Sequence, residues 1–197
     1  MLKRLRGGSK RIIPTKTISM KNKLLILDLD ETLIFSSLEK LSSKEDFSLG
    51  EYFVYKRPGL NEFLKFTNEN FQLAVWTSST SDYAEGIVKQ LFPDQSVLKF
   101  VWARDRCVSK IDIESREQYW IKDLKKVKKL RFDLNNVLVI DDSTEKLERN
   151  YGNHIPVNPF LGDPKDDELP RLINFLDKLK NLDSVRSIEK RNWRNSI

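Results

Sequence analysis

The chain has 197 residues, 39% hydrophobic and 10% aromatic, enough for one or two soluble domains whose core needs no covalent staple. Its single cysteine, Cys107, excludes an internal disulfide framework and points to a reducing compartment, and no stretch approaches the ~20 apolar residues of a membrane-spanning helix. The net charge of +6 is uneven: residues 1–23 hold eight Lys and Arg and no acid, leaving 27 basic against 29 acidic side chains in the rest.

These shifts divide the chain into a basic N-terminal tail (1–21), a body (22–185) and a basic C-terminal extension (186–197). The tail carries Lys3, Arg4, Arg6, Lys10, Arg11, Lys16 and Lys21, with Gly7-Gly8 and Pro14 discouraging one continuous helix. It reads as a solvated extension, or as a segment that recruits an acidic partner, nucleic acid included. No apolar core of a secretory signal follows the charges. A cytoplasmic location is therefore the expectation, with a nuclear or mitochondrial address left open.

Leu24–Leu27 is a short apolar run ending in Asp28, the pattern of a buried strand. Pro58-Gly59 punctuates the chain before a helical pattern through Leu60, Phe63, Leu64 and Phe66. Phe71–Trp76 then reads as a strand, and Ser81–Phe92 as a helix with Tyr83, Ile87, Val88 and Leu91 along one side. Val97–Trp102 is a further strand, Glu117–Leu130 is helical in part, and Val137–Ile140 is again a short apolar strand ending in acid. Ile155–Val157 closes the series of strands, and Asp167–Leu182 spaces Leu169, Leu172, Ile173, Leu176 and Leu179 as a covering helix. Alternating strands and helices predict an α/β fold with a mostly parallel central sheet and helices on both faces. In such sheets ligands bind beyond the carboxyl ends of the strands, where Asp28, Thr77 and Asp141 would meet.

Asp28 and Asp30 leave the first strand together in Asp-Leu-Asp-Glu-Thr. At ~4 Å two such charges repel by about 4 kcal/mol at an effective dielectric of 20, so the pair calls for a cation or a proton. A hard ion such as Mg²⁺ suits these oxygens, and one Asp can then act as nucleophile while the other holds a proton. An acidic turn capping a strand has the same composition. Thr77 and Ser78, at the next strand end, offer a hydroxyl and backbone N–H groups to a phosphoryl oxygen, although capping of the following helix by Thr80 or Ser81 accounts for the same stretch. Lys122 could offset the charge of such a site, or simply begin the cationic face that runs through Lys125–Arg131. Asp141 and Asp142 form a second acidic pair behind an apolar strand. The order acid pair, hydroxyl, lysine, acid pair favours chemistry over four separate accidents.

With these motifs, LDLDETLIFSS, KRPGLNEFL, AVWTSSTSDYAEGIV, YWIKDL and VLVIDDS, the chain resembles the haloacid dehalogenase (HAD) phosphatases over about residues 22–190. Within them it is most similar to the FCP/SCP group, also called NIF-type, which includes RNA polymerase C-terminal-domain phosphatases. The resemblance implies a HAD-like Rossmannoid fold with a short insertion after the first motif. It implies that Asp28 attacks phosphorus to form an aspartyl-phosphate, and that Asp30 protonates the leaving oxygen and then activates water. Thr77, Ser78 and Lys122 would bind the phosphoryl group. Asp28, the Asp30 carbonyl and Asp142 would hold Mg²⁺, supported by Asp141 and Thr32. Arg104 falls at a rim position of the family and is a candidate substrate contact, a surface ion pair being the alternative.

Two departures stand out: Asp141-Asp142-Ser143-Thr144 replaces the common Asp-Asn-Ser-Pro, and Leu38–Phe53 is shorter and more charged than the family's strand-forming insertion. The expected activity is a Mg²⁺-dependent phosphomonoester hydrolase acting on phosphoserine or phosphothreonine in a protein or peptide. The rivals are a phosphatase for metabolites or polynucleotide ends, and a non-catalytic interaction module. His154 is expected to be structural or surface, Cys107 a buried thiol, and Trp76, Trp102 and Trp120 packing residues.

Overall fold

A computed structural model describes residues 22–114 and 116–196; the basic tail, 1–21, lies outside the described residues. The first strand, β1 (Leu24–Leu27), is apolar at every position and buried at every position, as befits a strand covered on both faces. After a tight turn the chain forms β2 (Ile34–Ser37), β3 (Phe47–Leu49) and β4 (Tyr52–Lys56), a small antiparallel sheet ordered β2-β4-β3. This is the insertion after the first motif, and Gly50 supplies a positive φ of 58° in its β3–β4 turn.

Helix α1 (Leu60–Asn70) follows Gly59, whose φ of 77° and close approach to Pro170 leave no room for a side chain. Then come β5 (Gln72–Trp76), α2 (Ser81–Leu91) and β6 (Leu98–Trp102). Thr80 is the N-cap of α2, but its side chain makes no capping hydrogen bond. A hairpin of β7 (Val108–Ile111) and β8 (Gln118–Ile121) precedes the short α3 (Lys125–Lys129). The first part of the segment expected to be partly helical is thus a strand: Gln-Tyr-Trp-Ile suits a pleated surface and pairs with β7. Strands β9 (Val137–Asp141) and β10 (His154–Pro156) and helix α4 (Glu168–Leu179) complete the fold.

The five strands β10-β9-β1-β5-β6 form one parallel sheet. Alternate residues of β1 point to opposite faces. Leu25 and Leu27 join the core beneath α1, α2 and α4, whereas Leu24 and Ile26 join a second cluster with Trp76, Trp102 and Val127 of α3. The register pairs Leu27 with both Val75 and Ile140. The next residues, Asp28, Trp76 and Asp141, therefore emerge level with one another, and Thr77 one step further.

The C-terminal extension packs on this body. Trp193 is fully buried, stacks on Phe175 at 5.6 Å, and donates from Nε1 to the Pro156 carbonyl at 2.7 Å. Arg194 forms an ion pair with Glu168, its Nε donating to Oε2 at 2.9 Å.

Candidate active site

Asp28 sits at the central strand end, its N–H donating to the Ile140 carbonyl at 3.0 Å. Its carboxylate is buried between two cations, with Lys122 Nζ 3.0 Å from Oδ1 and Lys146 Nζ 3.1 Å from Oδ2. Burial opposes ionisation of Asp28, but the two ammonium groups overcome it and hold the carboxyl down at about 2. At neutral pH this oxygen pair is anionic, the form a carboxylate nucleophile requires.

The turn after Asp28 sends Asp30 elsewhere. The Leu29 carbonyl accepts from the N–H groups of Thr32, Leu33 and Ile34, and Glu31 takes a φ of 57°. A non-glycine residue in that region costs about 1–3 kcal/mol. The hydrogen bonds from Glu31 N–H to Ile34 O and from Phe160 N–H to Glu31 O offset part of this cost. Beneath the turn, buried Arg57 forks onto Asp166 with two 2.8 Å contacts and donates from Nη1 to the Thr32 carbonyl at 3.1 Å. The arginine of the Lys-Arg-Pro-Gly motif thus fixes the first motif to the 158–166 loop.

Asp30 consequently faces α2. Ser79 Oγ donates to its Oδ2 at 2.7 Å, and the Tyr83 hydroxyl, which also meets Ser36 Oγ, donates to Oδ1 at 2.5 Å. Burial raises the proton affinity of Asp30 above the ordinary carboxylate range; the two hydroxyl donors offset this only in part. Two carboxylates two residues apart are therefore shifted in opposite directions, Asp28 down by its two ammonium neighbours and Asp30 up by burial.

Lys122, delivered by β8, is fully buried, its Nζ 2.5 Å from Asp141 Oδ2 as well as against Asp28. It is not part of the exposed cationic face of α3. Burial, and then the charge of Asp28, push Asp141 up to about 6 against the pull of Lys122. Thr32 Oγ1 donates to Asp142 Oδ1 and accepts from Asp142 N–H, both at 3.2 Å, which ties the two acidic motifs together. Thr77 is buried at the end of β5, and its Oγ1 accepts from Ser79 N–H at 3.0 Å, leaving its own proton to give. Ser78 is half-buried beside it, its carbonyl accepting from Arg104 Nε at 2.6 Å.

Carboxylate oxygens of Asp28, Asp141 and Asp142 lie within 4.8 Å of one another. An all-oxygen, acid-rich donor set of this kind fits a hard divalent cation. Asp141 belongs to this trio, in addition to touching Lys122; the Asp30 carboxylate does not.

Arg104 stands on the rim with its guanidinium 5.5 Å from the Trp120 ring centre. A cleft of about 340 Å³ opens there, lined by Asp30, Ser36, Tyr52, Tyr83 and Arg104. Tyr52, from the insertion, packs edge-on against Tyr83 at 5.6 Å. His154 is buried and its Nε2–H donates to the Asp141 carbonyl at 2.8 Å, a structural role. Cys107 is buried as well, and burial pushes its thiol up.

Sequence reasoning missed Lys146 and Tyr83. Lys146 lies four residues beyond Asp142, a cation closely following an acidic pair, and that spacing was its only signal. Tyr83 read as one more apolar position of α2. Its first-turn place, directly after the hydroxyl cluster, was the available hint.

A family model described as NLI interacting factor-like phosphatase matches residues 23–186. The chain is similar to CTD nuclear envelope phosphatase 1B of Danio rerio, 32% identical over 189 residues that span 88% of this chain and 74% of the relative. It is similar to CTD small phosphatase-like protein 2 of Dictyostelium discoideum at 32% identity, with 88% of this chain covering 30% of that protein. Among solved structures it matches Fcp1, an essential RNA polymerase II CTD phosphatase, with a TM-score of 0.64 and 20% identity over 83% of this chain and 63% of that one. It also matches a putative beta-phosphoglucomutase from Thermotoga maritima, with a TM-score of 0.52 and 14% identity over 80% and 99% of the two chains. At those identities the likeness to solved structures is one of fold.

Proposed function

The chain belongs to the family of NLI interacting factor-like phosphatases, and from that premise we propose that it hydrolyses phosphoserine or phosphothreonine in a protein through an aspartyl-phosphate at Asp28. The observation that carries this reading is the split between the two first-motif carboxylates: Asp28 clasped by two ammonium groups, Asp30 turned away onto hydroxyl donors at the mouth of the cleft.

In the first step a carboxylate oxygen of Asp28 attacks phosphorus while the bond to the leaving oxygen breaks. Asp30, in its protonated form, gives that oxygen its proton. Thr77 hydroxyl, Ser78 N–H and Lys122 hold the phosphoryl oxygens, fixed donors aimed at the charge that develops in transfer. In the second step Asp30, now a carboxylate, takes a proton from water as the water attacks phosphorus, which frees phosphate and restores Asp28. Asp28 and Asp142, with the backbone carbonyl of Asp30 and with Asp141 alongside, would hold Mg²⁺. When bound, the ion neutralises carboxylate charge and polarises a phosphoryl oxygen.

The cleft supports a phosphorylated side chain on a peptide: its walls pair two tyrosine rings with one arginine, and it opens to solvent beside Asp30. The relatives' names support a nuclear setting for the substrate. Among the described residues no helix is long and apolar enough to cross a membrane. The basic tail would recruit an acidic partner. Comparing turnover of phosphopeptides, sugar phosphates and 3′-phosphorylated DNA tests the substrate class. Preference for phosphopeptides in kcat/KM is expected, and preference for either of the others would replace this reading.

A further inference from the structure

Lys146 performs no step of the mechanism above beyond its contact with Asp28, yet its ammonium sits among three carboxylates. It lies 3.1 Å from Asp28 Oδ2, 3.5 Å from Asp141 Oδ1 and 3.7 Å from Asp142 Oδ1. Those are the three residues whose oxygens gather closely enough to hold a metal. We infer that Lys146 is a resident counter-ion of the metal site, so that its ammonium and the divalent cation are alternative occupants of the Asp28–Asp141–Asp142 trio. The inference rests on the reading of that trio as the metal site.

Geometry makes the two occupants exclusive. A magnesium ion draws its oxygens to about 2.0–2.1 Å, whereas an ammonium group keeps them at hydrogen-bonding distance. One centre bounded by the same three carboxylates cannot satisfy both, and two cations side by side there would repel. Charge points the same way. Three carboxylates with Lys122 and Lys146 have a formal charge of −1. Exchanging Lys146 for a divalent ion makes the cluster neutral, while keeping both makes it positive.

The two lysines are also built differently. Lys122 has no exposed side-chain surface and sits between Asp28 and Asp141, so it has nowhere to go. Lys146 is 19% exposed and rides on a 3₁₀ turn, Glu145–Leu147. That turn is anchored by buried Leu147 and by the Lys146 carbonyl, which accepts from Lys122 N–H at 2.8 Å. Its backbone is fixed while its ammonium borders solvent, the construction of a group that can swing out (a lysine stem has four rotatable carbons). Lys146 thereby satisfies the acidic trio when no metal is bound and raises the concentration of metal needed to load it.

Direct titration of Mg²⁺ into the full chain by calorimetry tests this, comparing the wild type with Lys146→Met and with Lys128→Met. The latter makes the same charge change on the exposed face of α3. Lys146→Met should bind Mg²⁺ about tenfold or more tightly, the scale on which one adjacent charge alters a carboxylate's affinity for a cation, and Lys128→Met should match the wild type. Equal or weaker binding by Lys146→Met overturns the inference, and failure of all three proteins to bind Mg²⁺ overturns the metal reading along with it. Should Lys146→Met not fold without metal, a crystal structure of the wild type with Mg²⁺ decides. Lys146 Nζ outside the trio is the expected result, and Nζ still within ion-pair distance of all three carboxylates beside the ion is the contrary one.

Discussion

Replacing Trp193 by alanine removes the largest side chain of the C-terminal extension from a fully buried position. Lost with it are the stacking on Phe175 and the 2.7 Å hydrogen bond to the Pro156 carbonyl at the end of β10. Truncating a buried Trp typically costs about 3–5 kcal/mol, and the hydrogen bond adds about 1 kcal/mol. Arg194 Nη2, 3.4 Å from the same carbonyl, keeps that group from being left bare. We therefore expect a loss of about 4 kcal/mol. For a chain of this size each kcal/mol lowers Tm by about 2–4 °C, so thermal unfolding followed by circular dichroism should shift down by about 8–16 °C. Trp193→Phe keeps one ring against Phe175 but loses the donor and the rest of the indole, and should cost less than Trp193→Ala, about 2–3 kcal/mol. Removing residues 186–197 should cost at least as much as Trp193→Ala, because the Arg194–Glu168 pair goes too. If Trp193→Ala melts within about 2 °C of the wild type, the extension is a surface appendage and the packing argument is wrong.

Asp30→Asn should lower kcat by about 10²–10⁴, the usual worth of a general acid–base. The phosphoenzyme-forming step should suffer more with a phosphoserine peptide than with an aryl phosphate, whose leaving oxygen needs no proton; rapid-quench kinetics that show equal losses would remove Asp30 from the acid role. Lys190 provides a pH test on stability. Burial pushes its ammonium down to about 8 in the folded chain, against about 10.4 when unfolded. Both states carry the proton below pH 8, but between those values the unfolded chain binds more protons, so this group's contribution to stability rises with pH there. The stability of the wild type relative to Lys190→Met, from denaturant unfolding, should therefore grow from pH 8 to 10, by at most about 1.4 kcal/mol per pH unit. A flat difference would show that Lys190 is not desolvated.

The parallel sheet was legible because Leu24–Leu27, Leu73–Trp76 and Val137–Ile140 of β1, β5 and β9 are buried on both faces and so appear as continuous apolar runs, each followed by a polar residue at the carboxyl edge. The insertion strands and the β7–β8 hairpin were not legible. Their residues are half-exposed and mixed in polarity, and only pairing with a distant partner decides their state. The basic C-terminal composition hid the burial of Trp193, because single anchors leave no periodicity. The site divides along similar lines. Asp28, Asp30, Thr77, Asp141 and Asp142 sit at strand ends or directly beyond them, where local pattern predicts convergence, and the structure brings them to one edge. Lys146 and Tyr83 reach that edge by side-chain direction from a 3₁₀ turn and a helix, and direction is fixed only once the fold is.

Covalent capture at Asp28 tests the central claim most directly. A ³²P-labelled substrate mixed with the enzyme and quenched in acid within milliseconds should leave label on the protein. Peptide mapping should place that label on Asp28 as an acyl-phosphate sensitive to hydroxylamine. Asp28→Asn, isosteric but without a nucleophilic oxygen pair, should fold, carry no label and show no turnover. Label on another residue, or turnover by a folded Asp28→Asn near the wild-type rate, would mean that a different group attacks phosphorus.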